Sequence, residues 1–184
     1  NDPKFPLTRP DDQSLRVFGQ PQLRPPWVSE KPGASPLLLY SWDRTRQALE
    51  DLRGLEGDPC DGVMLEYTHP HTGGAVLPTM SCRIQLIRPA ERLRAHRHTG
   101  SAVYYVVEGE GETVIDGRAF VWRKGDIIAV APWALYQHTN LSASEDAILF
   151  SIRDRPVLEA LGLYREEVAT ENDGFQTVTS VFEG

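Results

Sequence analysis

The chain has 184 residues and a mass of 20.6 kDa, with 40% hydrophobic and 24% charged side chains, enough apolar material for one packed core and too little length for two large ones. Nineteen basic against twenty-six acidic residues leave a formal charge of −7, which excludes a sequence-wide cationic field for nucleic acid or anionic lipid. No apolar run approaches the roughly 20 residues of a membrane-crossing helix, the first ten residues lack the layout of a secretion signal, and Cys60 and Cys82 have no neighbouring thiol, so the reading is a cytoplasmic protein without a disulfide framework.

Eight of the fourteen prolines fall between Pro3 and Pro36, where fixed φ and missing N–H groups forbid long helices and inner strands. Phe5, Leu15, Val17, Phe18, Leu23 and Trp27 punctuate this extended arm and suit a strap that docks on a partner surface. From Trp42 to Leu55 the residues Thr45, Ala48, Leu49, Leu52 and Leu55 share a helical face, with Asp43 as the expected cap and Gly54 and Gly57 near the end. Between Gly62 and Arg153 the period changes to two. Val63, Leu65 and Tyr67, then Cys82, Ile84 and Leu86, then Val103, Tyr105 and Val107 form the apolar rows of successive strands. Asp116-Gly117 between two such runs predicts a two-residue hairpin. Runs over 126–131, 135–140 and 147–152 follow at the spacing of a sandwich or closed barrel, without βα alternation. Asp154-Arg155-Pro156 opens a second short helix through Leu158 and Leu161, and Thr177 to Phe182 suits an edge strand.

The candidate chemistry rests on histidine. In a strand, residues i and i+2 point the same way, so His96 and His98 converge on one side of the sheet, and His138 lies in a later alternating segment with Tyr136 two residues before it on the same face. Imidazoles with no thiolate suit Fe, Zn, Ni, Cu or Mn, and an open coordination position would make such a site catalytic. His69-Pro70-His71, beside Thr72-Gly73-Gly74, reads as a turn. Glu108, Glu110 and Glu112 alternate as if on one solvated face of a hairpin, and Arg88, Arg92, Arg94 and Arg97 make a basic cluster able to steer an anion.

His96-Arg97-His98-Thr99, Val107-Glu108-Gly109-Glu110-Gly111, Gly125-Asp126-Ile127-Ile128, Pro132-Trp133 and His138-Thr139-Asn140 resemble the two halves of the cupin motif. Ser35 to Tyr40, Tyr67 to Gly74, Pro78-Thr79 and Leu161 to Glu166 extend the resemblance to gentisate 1,2-dioxygenase and its salicylate and hydroxynaphthoate relatives, and within these two-cupin chains to the C-terminal half. The resemblance implies an all-β fold, a double-stranded β-barrel or jelly roll, with an extended proline-rich arm over 1–36, a cupin domain with flanking short helices over 37–168 and a C-terminal tail over 169–184. It implies O2-dependent ring cleavage of a dihydroxylated aromatic acid, gentisate to maleylpyruvate, at non-haem Fe(II) or another divalent metal. The ligands would be His96, His98 and His138, with Tyr136 as the alternative third. Tyr136 stands where the family's third ligand histidine aligns, His138 where the following histidine, which belongs to substrate handling, aligns, and Tyr104 where the catalytic cupin carries an arginine for the substrate carboxylate; Tyr104 and Tyr136 are the residues the resemblance assigns to substrate binding. The implied partners are a small aromatic acid, O2, an N-terminal cupin beyond this chain and further copies in a homo-oligomer. The alternative is a catalytically silent cupin serving structure and oligomerisation.

Overall fold

The computed structural model describes residues 16, 19 and 36–182, so the arm over 1–36 lies outside the described residues apart from Arg16, Gly19 and Pro36. Helix α1 (Trp42–Leu52) buries Thr45 and Leu49. Two details differ from the sequence reading: Ser41 occupies the N-cap position and Asp43 lies in the first turn, and the helix stops before Leu55, which is exposed. An acid in the first turn still favours the helix through its dipole, without a side-chain cap.

The strands are β1 (Val63–Tyr67), β2 (Ser81–Ile87), β3 (His96–His98), β4 (Ala102–Glu108), β5 (Glu110–Ile115), β6 (Arg118–Arg123), β7 (Ile127–Val130), β8 (Tyr136–Asn140), β9 (Ala147–Arg153), β10 (Glu166–Val168) and β11 (Ser180–Val181), with helix α2 (Arg155–Ala160) after β9. They form a five-stranded sheet, β1-β2-β9-β4-β7, and a six-stranded sheet, β10-β3-β8-β5-β6-β11. The chain crosses repeatedly between the two, the topology of a jelly roll. The β5–β6 hairpin turns at Asp116 and Gly117, both at positive φ (46° and 81°), as its two-residue loop requires. Strand β10 has no period-two signature, yet it pairs antiparallel with β3 and covers the edge that carries His96 and His98.

Between the sheets lies a core of Ile87, Leu93, Val106, Trp122, Ile128, Val130 and Leu149, with Tyr104 and Tyr136 inside it. Each such aliphatic contributes roughly 1.5–3 kcal/mol by leaving water. A second cluster, Leu49, Val63, Ile84, Leu86 and Ile148, forms where α1 lies on the outer face of the five-stranded sheet. The C-terminal tail grips the other sheet: Gln176 donates to the carbonyls of Val114 and Leu135 and accepts from the Gly117 amide, while its own amide donates to Gln137.

Glu108 is separated from its expected companions. It ends β4 beyond a bulge, whereas Glu110 and Glu112 belong to β5 in the other sheet. Gly109, at φ 83°, makes the switch, and a Cβ there would approach Ala147 Cα to 2.7 Å. The arginine cluster is divided among local partners: Arg88 binds Glu91 and the carbonyl of Arg53, Arg97 binds Glu167, and Arg92 lies over Phe175.

Candidate functional site

Pleat and register bring the predicted residues to one place. On β3, His96 and His98 both point between the sheets, and β3 pairs with β8 so that His96 sits opposite Tyr136, ring centroids 4.4 Å apart. His138 follows two residues later on the same face, opposite Thr113 of β5. The facing sheet contributes Tyr104 from β4. All five are buried, with His96, Tyr104, Tyr136 and His138 fully enclosed. His69 and His71 stay apart in a turn closed by the His69 and Gly73 backbones, as their proline and glycines predict.

Two members were not foreseen. Arg153 is the last inward residue of β9, and Asp61 precedes β1; their side chains meet at 3.3 Å, both nearly inaccessible. Period two on β9 runs Leu149, Ser151, Arg153 and carries the signal for the arginine. Asp61 lies in a loop and has none.

The hydrogen bonds run in one direction. Arg153 Nη2 donates to the Tyr104 hydroxyl at 2.8 Å, and that hydroxyl donates to Tyr136 at 2.9 Å. His98 Nδ1 lies 2.8 Å from the Gly100 carbonyl, which can only accept, so Nδ1 carries the proton and Nε2 accepts from the Tyr136 hydroxyl at 3.1 Å. Burial, reinforced by Arg153, lowers the His98 pKa to about 4 and keeps the ring neutral. On the other side, Trp122 Nε1 donates to Thr113 Oγ1, which bonds His138 Nδ1 at 2.7 Å. Burial drives the His138 pKa to about 3. Burial also lowers that of His96, opposed by Asp61, whose Oδ1 lies 3.9 Å from Nε2. For Asp61 itself burial works against the charge, but Arg153 and its neighbours outweigh it and the carboxyl stays ionised.

Whether these residues fit an iron ion turns on their lone pairs. Both ring nitrogens of His96 and Nε2 of His138 lack a hydrogen-bond partner among the described residues, which suits a ligand role. His98 Nε2, however, is taken by Tyr136. The Tyr136 hydroxyl would have to become phenolate to serve as third ligand, and burial together with Tyr104 pushes its pKa well above the ordinary range. A guanidinium shares the same network and repels a dication. Among the described residues no three histidine, cysteine or acidic side chains are grouped to hold a metal ion. As arranged, the residues do not fit the family's iron centre; they form a continuous hydrogen-bonded chain that runs from Asp61 through Arg153, Tyr104, Tyr136 and His98 to the Gly100 carbonyl.

Residues 83–153 match the cupin domain family. The 5-aminosalicylate 1,2-dioxygenase of Comamonas sp is 41% identical over 177 residues, covering 95% of this chain and 46% of that enzyme. The chain carries a cupin domain and, over most of its length, is similar to one half of gentisate-type 1,2-dioxygenases. Gentisate 1,2 dioxygenase 1 of Aquipseudomonas alcaligenes is 38% identical over 87% of this chain and 45% of its own length. The structure of salicylate 1,2-dioxygenase from Pseudoaminobacter salicylatoxidans with gentisate superposes with a TM-score of 0.79 at 29% identity, covering 86% of this chain and 44% of that one. This cupin therefore spans about half the length of the curated relatives it matches. No described helix is long and apolar enough to cross a membrane.

Proposed function

We propose that the chain supplies the second, C-terminal cupin of a cytoplasmic two-cupin dioxygenase that opens the ring of a hydroxylated aromatic acid with O2, gentisate to maleylpyruvate being the model reaction. In this reading the Fe(II) chemistry belongs to the other cupin, and the barrel described above is the silent unit that supports it. The observation that carries the reading is the engagement of His98 Nε2 by the Tyr136 hydroxyl, because it removes a ligand lone pair and puts a high-pKa phenol where a third imidazole would be needed. The Asp61–Arg153 pair supports it further, since a guanidinium already supplies the buried positive charge.

The experiment is O2 uptake with gentisate and with 5-aminosalicylate after anaerobic loading with Fe(II). The 184-residue chain alone gives no uptake; fused to the half of the Comamonas enzyme that it does not match, it gives ring-opened product, and His98→Ala in the fusion leaves turnover within severalfold. Turnover by the chain alone, abolished by His98→Ala, overturns the assignment of chemistry to the other cupin. A fusion that folds and binds iron but consumes no O2 overturns the family reaction.

A further inference from the structure

The hydrogen-bonded chain in the barrel leaves buried donors over. Arg153 engages Asp61 and Tyr104 through Nη2 alone. Its Nε and Nη1, which carry three N–H groups between them, meet no acceptor among the described residues, although the residue is 2% exposed. His96 is fully enclosed and has neither ring nitrogen partnered there, so its neutral ring adds one N–H and one lone pair. Ser81 stands opposite Arg153 in the β2–β9 register and is also buried, and its hydroxyl likewise lacks a partner among the described residues. Buried polar groups are ordinarily bonded, so a cluster of this kind points to a ligand.

The same residues close a ring. Asp61 Oδ1 lies 3.3 Å from Arg153 Nη2 and 3.9 Å from His96 Nε2. On the other side Arg153 reaches the Tyr104 hydroxyl, Tyr104 reaches Tyr136, and the Tyr136 ring lies 4.4 Å from that of His96. A ligand that quenches the leftover groups has to accept more than it donates. Each water that accepted one of these N–H groups would bring two hydrogens needing acceptors, and the cluster offers only the His96 lone pair and the Ser81 oxygen. An oxyanion only accepts, and a planar one matches the guanidinium plane. Charge points the same way. Arg83 lies on the same inner face, opposite Ser151, with its side chain 12% exposed, while its partner Glu66 is 35% exposed. Two guanidiniums thus stand near the buried Asp61 carboxylate.

We propose that the barrel is an anion site, holding one small planar oxyanion of the size of formate on Arg153 and His96, with Ser81 beside it. Enclosure sets the size. Arg153, His96, Tyr104 and Tyr136 are all 2% exposed or less, and two phenol rings already occupy the interior between them, so an aromatic acid is not taken here. The guanidinium that repels a dication at this position attracts the anion.

Calorimetric titration of the exhaustively dialysed full chain with sodium formate at constant ionic strength tests this without metal or O2, so its outcome is separate from that of the ring-cleavage reading. One formate binds per chain with a Kd of about 1 mM, near the ceiling for so few atoms, and raises the Tm as it saturates. Arg153→Lys keeps the charge, loses the planar donors and weakens binding at least about tenfold. Should that variant fold poorly, His96→Leu, which removes a second contact, weakens it at least about fivefold. Arg118→Met, at an exposed arginine, leaves binding unchanged. No saturable binding by the wild type below about 10 mM overturns the proposal. So does formate binding indifferent to Arg153→Lys and His96→Leu, and displacement of formate by gentisate overturns the assignment to a small anion in favour of an aromatic carboxylate.

Discussion

Replacing Asp61 with asparagine keeps the shape of the side chain and removes the charge that balances Arg153. The guanidinium is 2% exposed, its Nη2 lies 3.3 Å from Asp61, and its Nε and Nη1 have no hydrogen-bond partner among the described residues. At an effective dielectric of about 20, two unit charges at this separation attract by about 5 kcal/mol, and removing one member of a buried pair ordinarily costs about 3–5 kcal/mol because the other charge is stranded. Asp61→Asn should therefore lower the unfolding free energy by about 3–5 kcal/mol, a fall in Tm of roughly 10 °C for a domain of this size. Urea denaturation followed by tryptophan fluorescence reads the change as a lower midpoint at constant slope. The double variant Asp61→Leu with Arg153→Met should recover at least half of the loss, since apolar replacements of a buried pair are often neutral. A cost below about 1 kcal/mol for Asp61→Asn, or no recovery in the double variant, would refute the argument that the pair holds the polar chain through charge compensation.

Acid should destabilise the fold well above the usual carboxylate range. His98 and His138 have pKa values lowered from 6.5 to about 4 and about 3. Between those values and 6.5 the unfolded chain binds protons that the folded one refuses, so stability falls with pH by up to about 1.4 kcal/mol per unit for each ring. The Asp61 carboxyl, held below its ordinary pKa, loses its contribution only as the pH falls below about 4. A Tm constant between pH 7 and pH 4.5 would contradict the buried neutral histidines. Tyr136→Phe removes the hydroxyl between Tyr104 and His98 and should cost about 1–3 kcal/mol in urea unfolding; an unchanged midpoint would mean the bond is not formed. Gly111→Ala would drive a Cβ to 2.3 Å from the Thr139 carbonyl and 2.5 Å from the Trp122 ring, so it should destabilise by at least about 1–3 kcal/mol or prevent folding. A wild-type Tm in that variant would contradict the β5–β8 register.

Most of the barrel was legible because period-two rows and a two-residue turn carry strand and hairpin information locally. The helix over 42–52 and the turn at His69 to Gly74 were readable for the same reason. The site was legible only by halves. His96, His98, Tyr136 and His138 share an inward face because spacing of two fixes that face, whatever the fold. What no local pattern gives is the partner of each lone pair. The Tyr104 hydroxyl reaches Tyr136 across the sheets, and Arg153 and Asp61 are 92 residues apart, so their meeting depends on two sheets closing over one another. Three converging imidazoles suggest a metal; a phenol donating into one of them and a guanidinium behind it change the chemistry. Glu108 illustrates the same limit, since a bulge and one positive-φ glycine moved it to the other sheet.

The central claim, that this barrel is filled by its own hydrogen-bonded chain and leaves iron to another cupin, is tested most directly by metal stoichiometry. The purified chain, incubated anaerobically with excess Fe(II) and then desalted, should retain far less than one iron per chain, with no difference between wild type and His96→Ala. One tightly held iron per chain, lost in both His96→Ala and His98→Ala, would contradict the account.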